Sequence, residues 1–261
     1  MQRFTKKIAL ITGGAGAIGL ACGQRLAQEG AQVILADLKF EDPAGVAQQF
    51  AATAGLPPVL RTLDVRDPQA WADLTTSIVR EFGALDVLVN NAGLISAQPT
   101  PFDAIDLEEW RRVFSVNVDG ALLGMQAALR VMKAQSDGGA IVNMGSISGF
   151  VGSKDLGTYA SSKGALRTMS KQAAISAAHF GYNVRVNSVH PGYLWTPFVE
   201  AQLTERFGGR EQALAAVKKM NPMQQIVEPA DVAAAVAFLA SSDARMITGA
   251  DLVIDGGRLV Q

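Results

Sequence analysis

The chain is poor in the residues that build disulfides and metal centres. Among its 261 residues there is one cysteine, Cys22, and there are two histidines, His179 and His190. A single cysteine cannot close an internal disulfide or supply a multi-cysteine zinc site, and it suits a reducing compartment. Cys22 reads as a small buried hydrophobe on a helix. Neither histidine stands at ligand-like spacing from a carboxylate or the cysteine, so both read as structural and no metal is expected. Charge is also scarce. Asp, Glu, Lys and Arg make up 18% of the chain and the formal net charge is −1, which offers no basic field to recruit nucleic acid or an anionic membrane. Long apolar runs are missing too. The charge-free stretch from Ile8 to Gln24 carries five glycines and does not read as a membrane span. Glycines, not a small-residue cleavage site, follow the first apolar run, so no signal peptide is read and a cytoplasmic location is expected.

What the chain does have is a hydrophobic fraction of 49%, enough for the core of one large α/β domain. Short apolar runs alternate with longer helical patterns. The runs Ile8–Ile11, Gln32–Ala36, Val59–Leu63, Val87–Val89, Ala140–Met144, Val184–Val189 and Leu252–Ile254 read as parallel strands covered on both faces. Helical patterns cover Ile18–Glu29, Asp67–Phe82, Leu107–Gln135, Thr158–His179 and Pro229–Ala240. The second begins with an Asp-Pro start signal and the last with proline. Such alternation predicts a single α/β domain over residues 1–261, with a doubly wound parallel seven-stranded sheet and helices on both faces. Trp195–Pro229 has no strand pattern and is expected to form a helical lid segment, at about 195–229, beside the site.

The first strand runs into Thr12-Gly13-Gly14-Ala15-Gly16-Ala17-Ile18-Gly19 and then a helix. Strand, glycine-rich turn and helix together let backbone N–H groups at a helix N-terminus face a pyrophosphate, with glycine where the backbone must bend or approach closely. A glycine cluster alone would equally suit a tight turn; the flanking strand and helix favour a dinucleotide. Asp37 ends the second strand, 18 residues beyond Gly19. A carboxylate there accepts from both ribose hydroxyls and repels a 2′-phosphate, which selects NAD, although a solvated turn carboxylate would occupy the same position and Lys39 lies nearby.

Tyr159-Ala160-Ser161-Ser162-Lys163 opens a helix, which sets Tyr159 and Lys163 four residues apart on one face. Hydride transfer to a carbonyl leaves an oxyanion to be protonated, and the reverse reaction must deprotonate the alcohol. A lysine ammonium one turn from a tyrosine favours the phenolate, so an apparent pKa below the free value of about 10 is expected. A surface Tyr and a surface Lys would show the same spacing, so the accompanying motifs decide. Ser146 ends the fifth strand, thirteen residues before Tyr159, where a hydroxyl can steady the developing charge; Ser148 is the alternative. Asn117 interrupts a long helix as a poor helix former.

These motifs together resemble the short-chain dehydrogenase/reductase family over essentially the whole chain. Gly13 and Gly19 match the first and third glycines of its turn, while Ala17 occupies the middle position with Gly16 just before it. The resemblance implies a Rossmann fold and a catalytic tetrad of Asn117, Ser146, Tyr159 and Lys163, the serine selected by its spacing to the tyrosine. It implies that Asn117 bends its helix and holds a water that links lysine to solvent. It places Asp64 and Val65 at the adenine ring and assigns Asn91, Ala92 and Gly93, after Asn90, to the cofactor's edge. Pro191, Gly192 and Thr196 are placed at the nicotinamide carboxamide, with Ile18 and Leu194 also in the cofactor set. Asp255-Gly256-Gly257 is typical of the family's C-terminal end, and a homotetramer is implied.

Substrate choice is expected in Leu94–Phe102, Gly149–Thr158 and Tyr193–Met223, with Ser148, Phe150, Leu156, Tyr193, Trp195 and Phe198 lining the pocket. No arginine adjoins the expected pocket, and an apolar lining favours a hydrophobic or alicyclic secondary alcohol over a polyol or an acid. The segment around Val186–Pro191 resembles alicyclic alcohol and hydroxysteroid dehydrogenases. The alternatives are a 3-oxoacyl-thioester reductase, against which Asp37 argues, and a non-catalytic dinucleotide-binding scaffold, against which the complete tetrad argues.

Overall fold

The computed structural model describes residues 2–54, 57–195 and 197–261, without the side chains of residues 53–54, 197–198 and 201–202. Seven parallel strands form one sheet: β1 (Ile8–Thr12), β2 (Gln32–Asp37), β3 (Val59–Thr62), β4 (Val87–Asn90), β5 (Gly139–Met144), β6 (Val184–Pro191) and β7 (Asp251–Ile254), in the order β3-β2-β1-β4-β5-β6-β7. The reversal of order at β1 is the switch point at which such sheets bind ligands, beyond the carboxyl ends of the strands.

The apolar runs are continuous because both faces are covered, and strand periodicity divides them. Ala9 and Ile11 of β1, with Val33 and Leu35 of β2, face one core; Ile8, Leu10, Ile34 and Ala36 face the other. The first core lies under α1 (Ala17–Gln28), α2 (Pro43–Ala54) and α9 (Pro229–Ala240), and holds Cys22, whose thiol burial pushes up to about 12. The second lies under α3 (Pro68–Phe82), α5 (Ala121–Met132) and α6 (Gly157–His179). Helix α3 starts as its sequence predicts, with the Asp67 carboxylate accepting from the N–H groups of Gln69 and Ala70 and proline at the first helical position.

Two expectations need correction. Leu107–Gln135 is not one regular helix: α4 (Leu107–Phe114) passes through a widened π-helical stretch, Ser115–Gly120, before α5, and the helix stops at Met132. Helix α2 has no counterpart in the sequence pattern read above. Within the segment 195–229 lie α7 (Pro197–Phe207) and α8 (Arg210–Met220), and α7 supplies Val199 and Leu203 to the wall of the cavity described below. Among the described residues no helix is long and apolar enough to cross a membrane.

Candidate active site

The glycine turn is shaped by contact as well as by conformation. Gly13 has φ +63°, and a Cβ on Gly19 would lie 2.2 Å from the Gly13 carbonyl oxygen, so neither position admits a side chain. Gly16, in contrast, takes the extended φ of −79° and ψ of 159° at the start of α1. Ala17, in the usual place of the middle glycine, is the first residue of α1, a helical position that accepts an alanine. No side chain caps α1, leaving its first N–H groups available to a pyrophosphate.

Asp37 joins the turn to β2. Its carboxylate accepts from the N–H of Ala15 at 2.9 Å and of Leu38 at 2.8 Å. The loop after β4 is tied to the same turn. Thr12 Oγ1 accepts from the N–H groups of Asn91 and Ala92 at 3.0 and 3.1 Å, and Asn91 Nδ2 donates to the Thr12 and Gly13 carbonyls. Asp64, at the end of β3, is forked by the Arg66 guanidinium, whose hydrogen bonds hold its carboxyl below the usual range. Val65 beside it is buried, and its carbonyl accepts from the Trp71 indole at 2.9 Å.

Beyond the ends of β4, β5 and β6 lies a cavity of about 410 Å³. Ser146, Tyr159 and Lys163 stand on its wall together with Ile18, Asn91 and Gly93, and Pro191, Gly192 and Leu194 close another side. Lys163 is 4% exposed and donates from Nζ to the Met144 carbonyl at 2.7 Å. Its Nζ lies 5.7 Å from the centre of the Tyr159 ring. Burial pushes the ammonium down to about 8. Burial also raises the Tyr159 phenol above its ordinary value, with the Ser146 side chain opposing the shift by hydrogen bonding. The phenol thus shifts against the expected lowering, because desolvation is the largest influence on it in this cavity.

Asn117 works from behind. It is 1% exposed. Its Oδ1 accepts from the Leu94 N–H at 2.7 Å, and its Nδ2 donates to the Leu94 carbonyl and the Ser162 hydroxyl, both at 2.9 Å. The Ser162 hydroxyl donates in turn to the Tyr159 carbonyl at 2.7 Å. An amide that pairs with a neighbouring chain in this way competes with the regular helical ladder, and the helix widens around it. A Cβ on Gly93 would lie 3.3 Å from Asn117 Oδ1 and 3.5 Å from Lys163 Nζ, so glycine lets the loop pass between the two.

A family model described as enoyl-(acyl carrier protein) reductase matches residues 13–258. The chain belongs to the short-chain dehydrogenase/reductase family. It is 39% identical, over 100% of its length and 99% of the relative's, to an NADP-dependent (R)-specific alcohol dehydrogenase of Lentilactobacillus kefiri. It is 37% identical to a trans-4-hydroxycyclohexanecarboxylate dehydrogenase of Sinomonas cyclohexanicum, covering 98% of this chain and 94% of that one. The solved structure of levodione reductase superposes with a TM-score of 0.91 at 31% identity, covering 99% of both chains.

Of the six residues predicted to line a substrate pocket, Ser148, Leu156 and Tyr193 stand on the wall of this cavity. Phe150 does not. Its ring turns away from the cavity, edge-on to His190 at 4.8 Å and under the Arg167 guanidinium at 3.9 Å. Trp195 is also off the wall; its indole N–H donates to Glu200 at 3.0 Å. Thr196 and the side chain of Phe198 lie outside the described residues.

Sequence reasoning missed two residues at the site. His190, fully buried, donates from Nδ1 to the Ser146 carbonyl at 3.2 Å and faces the Ser188 hydroxyl at 2.9 Å with Nε2. Burial holds the ring below its ordinary pKa while its Nδ1 braces the Ser146 peptide. Asp251 stands 3.3 Å from the same Nε2. Arg258 lines the cavity, which corrects the expectation that no arginine adjoins it. Its only sequence signal is its place directly after Asp255-Gly256-Gly257.

Proposed function

We propose that the chain is an NAD(H)-dependent dehydrogenase that interconverts a hydrophobic or alicyclic secondary alcohol and its ketone, with Tyr159 as general acid and base. The observation that carries this reading is the convergence of Tyr159, Ser146 and Lys163 on one cavity wall, braced by Asn117 and approached by a glycine turn that fits a dinucleotide. Bound nicotinamide would supply or accept the hydride. Gly13, Gly16, Ile18, Gly19, Asp37, Asp64, Val65, Asn91, Ala92, Gly93, Tyr159, Lys163, Pro191, Gly192, Leu194 and Thr196 are the proposed cofactor set.

In reduction, the Tyr159 hydroxyl gives its proton to the oxygen that becomes the alcohol, and the Ser146 hydroxyl donates a second hydrogen bond to that oxygen as charge develops. A phenol raised by burial is protonated at neutral pH, the form reduction needs. Oxidation needs the phenolate, so its rate rises with pH. Lys163 is anchored on the Met144 carbonyl, which holds its ammonium beside the Tyr159 ring, and with the cofactor bound it would be available to a ribose.

Asp37 supports NAD over NADP, because a carboxylate at the end of the second strand accepts from ribose hydroxyls and repels a 2′-phosphate. The test is initial-rate kinetics with cyclohexanol and cyclopentanol and both dinucleotides. A higher kcat/KM with NAD+ is expected, and a shift towards NADP+ on replacing Asp37 by Ala and Leu38 by Arg. Higher kcat/KM with NADP+ in the unaltered enzyme would refute the role given to Asp37. We further propose a cytoplasmic homotetramer; fractionation of the native host checks the compartment. Leu122 on α5, Ile175 on α6 and Phe180 just beyond it are large and exposed, at 39%, 67% and 63%, and a second copy would cover them. Sedimentation as a monomer at micromolar concentration would refute the assembly.

A further inference from the structure

The cavity wall carries two cations, Lys163 and Arg258, and no carboxylate among the described residues. Lys163 is held by the Met144 carbonyl beside Tyr159. Arg258 is differently placed. It opens the short helical turn Arg258–Val260 after β7, and its Nη1 donates to the Met220 carbonyl at the end of α8, at 3.0 Å. Among the described residues it has no carboxylate within ion-pairing distance. An arginine anchored through one nitrogen keeps Nε and Nη2 for a ligand, and the planar fork matches the two oxygens of a carboxylate. A partly buried guanidinium facing a largely apolar cavity without a counter-ion is unfavourable, and an anionic ligand relieves that cost.

The cofactor's phosphates do not serve as that anion. They belong at the glycine turn after β1, and β7 is four strands away in the sheet order, about 19 Å at ~4.8 Å per strand. Leu94, Val151, Leu156, Val199 and Leu203 supply apolar wall to the same cavity as Tyr159 and Arg258.

We propose that the substrate is a hydroxy acid and its keto acid, with an apolar middle, the reacting carbon at Tyr159 and a carboxylate received by Arg258. The inference rests on the reading of the Tyr159 site given above and extends it to the far end of the substrate.

The test is reduction of cyclohexanone, 4-oxocyclohexanecarboxylate and the methyl ester of the latter by the parent enzyme, Arg258→Met and Arg258→Lys. The ester keeps the shape of the keto acid and removes its charge. The parent is expected to prefer keto acid over ester by at least ~10-fold in kcat/KM, mostly through KM, as for a charge-assisted hydrogen bond. Arg258→Met is expected to reduce that ratio at least ~10-fold, with Arg258→Lys between, since it restores charge without the fork. A parent that treats acid and ester alike overturns the proposal, as does an Arg258→Met enzyme that keeps the ratio. If cyclohexanone and the ester are reduced in either case, only the anion site falls. If no ketone is reduced with either dinucleotide, the reading of the Tyr159 site falls, and this inference with it.

Discussion

The layer behind the candidate site and the cover in front of it are built on opposite principles. Behind it, polar side chains are sealed from water and joined to one another. Asn143, 0% exposed, accepts from Asn90 at 2.9 Å and donates to Ser170 at 2.9 Å, and Ser170 passes its own hydrogen to the Leu166 carbonyl. With Asn117, Ser162 and His190 this layer links β4, β5 and β6 to α6. In front, α8 buries Ala213 and Val217, but the ionic contacts of α7 and α8 lie at the rim. Arg210 pairs with Glu200 at 2.6 Å with its side chain 63% exposed, and Trp195 donates to the same carboxylate. A buried network holds one geometry because each member is costly to orphan. An exposed ion pair is screened and contributes little. Ser146, Tyr159 and Lys163 rest on the first kind of structure, and the ionic contacts of the cover belong to the second.

Four substitutions would break or sharpen that contrast. Tyr159→Phe has the largest expected effect: turnover falls at least ~10²-fold, the low end of general acid–base contributions, while dinucleotide binding, measured by fluorescence titration, persists. A folded variant with near-normal turnover would remove Tyr159 from the mechanism. Asn143→Ala comes next. It leaves unpaired one hydrogen of Asn90 Nδ2, which keeps its bond to the Ala121 carbonyl, and one side of Ser170, and should cost about 1–3 kcal/mol for each group left unpaired, read as a lower urea midpoint. A midpoint equal to the parent's would mean that the network behind the site does not carry the strength attributed to it.

Asp251 tests the same layer by pH. Burial pushes its carboxyl up, but hydrogen bonds from Lys171, Arg167 and Ser188 outweigh this and bring it to about 2. A carboxyl with a folded-state pKa below its unfolded value of about 3.9 contributes stability above the latter. That contribution is lost as pH falls towards 2. Asp251→Asn should therefore unfold at a lower urea concentration than the parent at pH 7, with the two converging as pH falls from 4 towards 2. A gap that stays constant with pH would contradict the assignment. The smallest effect is expected at the cover: Glu200→Gln should change stability by less than about 1 kcal/mol, and a larger loss would place the cover with the buried layer.

Much of this arrangement was legible in the chain before folding. The seven strands stand within a residue or two of where continuous apolar runs put them, because a strand covered on both faces leaves no other pattern. The glycine turn, Asp37 at the end of β2, and Tyr159 and Lys163 one helical turn apart are local facts, set by covalent spacing and by the backbone geometry of strand, turn and helix. The widening at Asn117 was partly legible, as an asparagine where helix formers were expected, but its form depends on Leu94 and Ser162, 23 and 45 residues away in sequence.

The remainder was decided by packing. Phe150 could face the cavity or leave it, and the His190 and Arg167 side chains that draw it away come from β6 and α6. Spacing put an ammonium near the Tyr159 hydroxyl, but only the enclosure of both groups gives the direction of their pKa shifts, since desolvation depends on every neighbour in space. Arg258 follows β7, which the crossover from α9 lays beside β6 at the end of the sheet. Sequence by itself determined the elements, the turn and the paired Tyr159 and Lys163, because those depend on neighbours along the chain. Tertiary structure alone decided which side chains share a cavity, because strand order brings residue 258 to the same wall as residues 146 and 159.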